Sequence, residues 1–596
     1  MRGSGAFRTS IVPGGALAGP WVANSLWKNA RAVPSLDLRF AENKSLTDAK
    51  TGASLVTFTR ASTGTFVGSD GLLRSAVTNL LLRSEEFDTG WTGSESNTTI
   101  TANTNTAPNG TLTADTIDFT NASSFRYQIV SNTPGGTTVT FSVWLASGTK
   151  TQTVIRIAGS STGTGGQLVI SLTPTLTRYS VTVTIPSGNS AAFVGFENRV
   201  GIGGGNGGTG TIVAWGAQLE QSSTVGEYIP TTSVINSAPR FDHNPTTGES
   251  LGLLVEEART NLALWSEDLS NAVWSVNFTS VTTNAVTAPD GGLTADFVKE
   301  DSSSFEHNRF QNASVTAGTV YTISAYAKAG GRTKFILRTA IAGGNINCGF
   351  DLTSGTVTRQ PSGFTCSIQR LPNGWYRCSA TCTASVTASR YFALQLAIAD
   401  PVDDAQPSYQ GDNTSGLFLW GAQLEAGAFL TSYIPTTSAT ATRAADVASI
   451  TGTNFSSWYN QTEGTVLLDG RFNTVATNTA LVSINDAANS SNNRHTLRIG
   501  NTIIVSGGTT VASFFQTPAL QAIAKYAYGY AVNNFVQVLN STSTSVDTLG
   551  AVPAGVNVME IGKVEGTQIY SNGTIKRLTY WPVRLANPTL QAITSP

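Results

Sequence analysis

Polar and apolar residues alternate along short runs through most of this chain. In VTFSVWLAS, Val139, Phe141, Val143 and Leu145 point one way, while Thr140, Ser142, Trp144 and Ala146 point the other. In YTISAYAKA the same pattern sets Tyr321, Ile323, Ala325 and Ala327 against Thr322, Ser324, Tyr326 and Lys328. The runs EGTVLLDGRF, HTLRIGNTIIVSG and YAYGYAVNNFVQVLN extend it beyond Glu463. Gly, Asn and Pro punctuate the runs. A period of two, broken at turn residues, predicts half-buried strands joined by tight turns. Few stretches could carry a long amphipathic helix, although the closing PTLQAI is suited to a short helical turn. The expected class is all-β.

Several of these runs are spelled twice. WGAQLE occurs at Trp215–Glu220 and again at Trp420–Glu425, and YIPTTS follows each, at Tyr228 and Tyr433. Their opening partners are TNLLLRSEEF from Thr78 and TNLALWSEDL from Thr260. APNGTLTAD from Ala107 pairs with APDGGLTAD from Ala288. The second copy carries an insertion that includes SGFTCSIQRLPNGWYRCSATCTA. A unit this long is a duplicated sandwich rather than a solenoid repeat. The recurring words then read as scaffold: closing strand and exit segment. The division expected is an arm and leader over 1–75, sandwiches over 76–235 and 258–440, a turn-rich linker over 236–257, and a third β-rich domain over 441–596.

Composition narrows the partners. Charged residues make up 12% of the chain, about half the ~25% of an average soluble protein, and the formal net charge is −1. No electrostatic footprint for nucleic acid or an anionic membrane follows, and no apolar run reaches the ~20 residues of a membrane span. Four cysteines, Cys348, Cys366, Cys378 and Cys382, lie in the second copy. Cys378 and Cys382 share a strand face, where they could pair with neighbours or stay free. The N-terminal stretch up to Asp37 holds Arg2, Arg8, Lys28 and Arg31 and no acid. Such an arm would not fold alone, but could order by docking on something larger.

RFDHNPTTGESLGLLVEEARTNLALWSEDLSNAVW, NGWYRCS, LWGAQLEAGAFLTSYIPTT and TRAADVAS together resemble a module of tailed-bacteriophage virion proteins, described as a head-spike or tail-fibre domain. Leu36–Ala76 resembles the leader that precedes that module. The stretch from EGTVLLDGRF to PTLQAI resembles the concanavalin A-like, laminin-G-like domains that end such proteins. The resemblance implies tandem jelly-roll β-sandwiches, like carbohydrate-binding modules, then a concanavalin A-like β-sandwich, with an extended N-terminal anchoring arm. It implies a structural component of the virion, made in the host cytoplasm. The arm would attach to portal, capsid or tail proteins, the sandwiches would meet host-surface glycan, and the appendage would be a homotrimer. A head or tail decoration protein and a polysaccharide-degrading spike are the alternatives. The first copy departs from the pattern in lacking PNGWYR.

Candidate chemistry is sparse. His243, His307 and His495 lie in three separate regions, and no GxSxG elbow occurs. Glu560 and Glu565 fall on opposite strand faces, so no glycosidase carboxylate pair is read; the expectation is a protein without catalysis or cofactor. WGAQLE stands where a calcium-binding aspartate pair would be expected, leaving Glu85, Glu86, Glu267 and Asp268 as partial oxygen ligands. In the terminal domain, Asn485 and Asp486 open a polar loop suited to a metal or a sugar. Trp144 and Tyr326 are aromatics at matched positions on the polar strand face, where a sugar ring could stack. They are the leading carbohydrate contacts, with Tyr127, Glu197 and Arg199 in the first copy and His307 and Gln395 in the second added to them. The competing reading is that both aromatics are covered by a loop or a neighbouring subunit.

Overall fold

The computed structural model describes residues 25–595, apart from 94–97, 132, 134, 202–203, 475, 477, 488–491 and 565–568. The arm's Arg2 and Arg8, Glu565 and part of the Asn485 loop lie outside the described residues. The chain is almost wholly β and builds antiparallel sandwiches of the jelly-roll kind. Two compact units are present. One consists of Thr59–Thr63 with Ser75–Ala238, and the other takes in the rest.

The first unit holds one sandwich. One sheet runs Thr177–Thr184, Thr138–Ser147, Gly210–Glu220, Ala114–Phe119, Thr98–Asn105. The other runs Gly165–Ser171, Gln152–Gly159, Ala191–Glu197, Phe125–Ser131, Thr92–Gly93. Val139, Phe141, Val143 and Leu145 are wholly buried between the sheets, as the alternation requires.

The second copy repeats this plan within the larger unit. There Val320–Gly330 lies between Gly416–Ala426 and Tyr376–Thr383, and His307–Val315 pairs with Ala388–Ala397. Its core contains Tyr321, Ile323, Ala325 and Ala327, and it also takes in Cys348, Cys378 and Cys382. All four cysteines are free thiols, and Cys366 is half-buried against that core.

The third sandwich draws strands from widely separated parts of the chain. Its central strand, Gly573–Trp581, pairs with Glu463–Phe472, with Ser250–Val255 of the expected linker, and with Leu36–Leu38 of the expected leader. Two boundaries are thereby corrected. The described part of the arm and leader is no free extension. Leu36, Leu38 and Phe40 are fully buried in this domain's core, and Val56 and Phe58 are nearly so. The stretch 236–257 is not a plain linker: FDHNPTTGES turns a hairpin between Arg240–His243 and Ser250–Val255, which brings Leu253 and Val255 into the same core. The short helix Ser25–Ala30 and the closing helix Asn587–Ile593 supply Ala30, Leu590 and Ile593 to a smaller cluster around Trp581.

One buried side chain locks the leader in place. Asp37 is fully buried and accepts from Arg577 Nε at 2.7 Å and Nη2 at 2.6 Å. It also accepts from Arg39 Nε at 2.8 Å, Thr579 Oγ1 at 2.9 Å and Trp27 Nε1 at 3.0 Å. A buried carboxylate is tolerable only when its lone pairs are met in this way.

Candidate functional site

The repeated words form the same construction in each sandwich. Gly216 and Gly421, at φ +65° and +61°, sit at a register shift in the closing strand. A Cβ on either would come within 2.8 Å of the ring of Trp144 or Tyr326. Trp144 meets Trp215 and Tyr228 at 5.1 and 5.3 Å, while Tyr326 meets Trp420 and Tyr433 at 5.3 and 5.9 Å. The glutamine of each hexapeptide accepts the exit segment's backbone N–H, Ile229 on Gln218 and Ile434 on Gln423, both at 2.8 Å. Asn79 and Asn261 each donate to two backbone carbonyls, one on the closing strand and one on the exit segment. WGAQLE and YIPTT therefore clamp the chain's exit across the outer face of one sheet.

This geometry corrects the two leading sugar contacts. A stacking ring must present a free face, and here a cross-strand arginine occupies it. Arg178 lies over Trp144 at 4.4 Å, and Arg377 lies over Tyr326 at 5.1 Å. Trp144 remains half-buried, whereas Tyr326 is 1% exposed, sealed by Leu73 of the leader and by Leu371 and Trp375 of the inserted PNGWYR stretch. In the first copy, which lacks that stretch, Leu176 packs against the Trp215 cluster at the matching position.

His307 and Gln395 are also displaced from the role expected of them, since both are fully buried. The His307 ring nitrogens face Phe278 O at 2.8 Å and Tyr409 O at 3.3 Å, and Gln395 accepts from Asn308 at 2.9 Å. The acidic residues read as partial calcium ligands are otherwise engaged. Tyr228 OH donates to Glu85 at 3.1 Å and Tyr433 OH to Glu267 at 3.0 Å, Glu86 pairs with Arg83, and Asp268 takes Ser270. Asn485 is buried and donates to Glu560 at 3.0 Å.

The remaining three candidates do converge. Tyr127, Glu197 and Arg199 line a groove of about 560 Å³ on the outer face of the first sandwich's other sheet. Alternation explains the face. Along Phe125–Ser131 the residues Phe125, Tyr127 and Ile129 point outward, and Arg126, Gln128 and Val130 inward. The register sets Tyr127 beside Gly195 and Gly195 beside Arg156, so the middle of that row carries no side chain. Phe125 and Tyr127 stack at 5.4 Å, and Phe193 meets Tyr127 edge-on at 4.7 Å.

The polar wall is an ion cluster. Glu197, only 4% exposed, accepts from Arg199 Nε at 2.9 Å and Nη2 at 2.7 Å, a two-pronged pair. The hydrogen bonds that Arg199 donates to Glu197 raise its pKa, fixing its charge. Arg199 also lies 4.4 Å over Phe125. Arg156 Nη1 reaches Glu197 only at 3.4 Å, while its Nη2 donates to Gly163 O. Sequence reading missed Phe125, Phe193 and Arg156. All three were accessible to it as outward residues of alternating strands, but only the cross-strand register shows that they meet Tyr127.

No protein-family model matches the chain, and no curated protein matches it. A solved structure that is similar is the N-terminal CBM22-1–CBM22-2 tandem domain of Paenibacillus barcinonensis Xyn10C, with 12% sequence identity, 59% of this chain and 98% of that one covered, and a TM-score of 0.20.

Proposed function

We propose that the chain is a non-enzymatic carbohydrate-binding protein whose first sandwich holds glycan in the groove over Tyr127. The observation that carries this reading is the pairing of three clustered aromatic rings with a fixed polar wall in one open groove. Pyranose rings present apolar C–H faces and a rim of hydroxyls. An aromatic floor beside charged hydrogen-bonding groups complements both. The third sandwich would secure the leader, whose Leu36–Leu38 strand it incorporates.

The setting proposed is a bacteriophage virion appendage, supported by the long motif resemblance of the sandwiches and leader. Residues 1–24 would reach portal, capsid or tail proteins, several copies would assemble as a homotrimer, and avidity would multiply weak individual contacts. The test is binding of the full chain to a glycan array and then, by calorimetry, to the best hit. Tyr127→Ala should weaken that binding about tenfold or more, the worth of one lost stacking contact. Unchanged binding by Tyr127→Ala would overturn the assignment of this groove.

A further inference from the structure

We infer that the ligand of this groove is an acidic saccharide, one whose carboxylate is received by Arg156. The inference rests on the groove being a glycan site and specifies its substrate class. Charge is the first observation. The lining holds two guanidiniums, Arg156 and Arg199, against one carboxylate, Glu197. Arg199 already neutralises Glu197 through its two short bonds. Arg156 is left as the surplus positive charge, with Nη1 making only a 3.4 Å contact. A groove walled by protein and carrying uncompensated positive charge favours an anion over a neutral sugar.

The second sandwich shows what an arginine at this position takes when the space above it is filled. The two copies can be aligned through the glutamines that bridge Leu82 and Leu264. Gln128 donates to Leu82 O at 2.6 Å and accepts from its N–H at 3.0 Å, and Gln311 does the same with Leu264. Strand register then matches Tyr127 with Phe310, Gly195 with Ala393 and Arg156 with Arg338. In the second copy Arg338 is buried beneath a loop of its own sandwich. It donates to Asn347 Oδ1 and to the carbonyls of Asp404 at 3.4 Å and Ala405 at 3.3 Å. The loop's Asp404 carboxylate lies in the same cluster, bonded at 2.7 Å by Arg359. The hydrogen bond from Arg359, with further help from the charge of Arg338, holds its pKa below the usual range. One copy thus supplies its own acceptor oxygens to this arginine, with a carboxylate close by that Arg359 holds. The other leaves the equivalent arginine facing an open groove, which an external acid group would complete.

The experiment uses matched ligands, oligogalacturonates and alginate hexamers beside their methyl esters, which keep the ring and lose the charge. Calorimetry on the full chain should give at least about tenfold tighter binding for an acid form than for its ester, as expected of a charge-assisted contact. Raising the salt should shrink that preference. Arg156→Gln, with folding verified by near-ultraviolet circular dichroism, should bind the acid no better than the ester. Equal binding of acid and ester by the wild-type chain, or an acid preference surviving in Arg156→Gln, would overturn the inference. A neutral glycan bound in a Tyr127-dependent way, with the acids ignored, would also overturn it while leaving the groove a sugar site. Binding of no glycan on the array would bring down both readings together.

Discussion

Removing residues 1–58 should prevent the terminal sandwich from folding, even though most of its strands lie after residue 447. The deletion takes away Leu36, Leu38, Phe40, Val56 and Phe58, all buried in that domain's core. Fully burying a large apolar side chain is worth roughly 1.5–3 kcal/mol, so five contribute about 10 kcal/mol. Residual burial in the unfolded chain lowers that figure somewhat. It is still comparable to the ~5–15 kcal/mol that holds an ordinary domain together. A milder version is Asp37→Ala, which strips Arg577 of both its short bonds while leaving the apolar contacts in place. Breaking a buried pair from one side costs about 3–5 kcal/mol, and the lower end applies because Arg577 is 19% exposed. At about 2–4 °C per kcal/mol for a domain of this size, the melting point should fall by about 10 °C. Hydrogen exchange read by mass spectrometry on peptides covering Gly573–Trp581 would isolate the response of this domain. Protection there at the wild-type level in the deletion or in Asp37→Ala would refute the claim that the leader is part of this sandwich.

Four further outcomes are expected. Burial pushes the Glu267 pKa up to about 7, so the folded state favours its neutral form; the stability this provides is present in full below about pH 4.5 and lost as pH rises towards 7, and Glu267→Gln should flatten that part of a melting-point profile. Asn261→Ala should cost about 3 kcal/mol in a urea titration, because it leaves two buried backbone carbonyls, Ala422 and Ile434, without their donor. In the native protein only Cys366 should react promptly with a thiol reagent: burial pushes Cys378 well up and Cys382 to about 12, and the other three thiols should appear only on unfolding. Trp144→Ala should lower the stability of the first sandwich by about 3 kcal/mol and leave glycan affinity within a factor of two, a result opposite to that of Tyr127→Ala when the two are measured side by side.

The sequence made the strand faces legible because alternation needs no knowledge of what a strand pairs with. Val139 and Tyr321 fell inward as expected, and the two hexapeptides proved to be clamps at equivalent positions. The site was legible only in part, because it depends on register. Trp144 and Tyr326 were placed on the correct face, but the arginines that cover them arrive from the neighbouring strand, opposite them in register. Tyr127, Glu197 and Arg199 were singled out without any sign that they share a groove with Arg156. The leader was misread for a related reason. Leu36–Leu38 pairs with a strand some 540 residues further on, and no local pattern reports a partner that distant.

That distance bears on how the protein is made. Synthesis at roughly 5–20 residues per second puts between about half a minute and two minutes between the emergence of Asp37 and that of Arg577. Throughout that interval Leu36, Leu38 and Phe40 await the strand that will cover them, while the intervening sandwiches emerge with their own cores complete. A chain broken off anywhere upstream of Gly573 would keep this greasy segment on display, a signal by which chaperones and proteases could tell an unfinished product from a finished one.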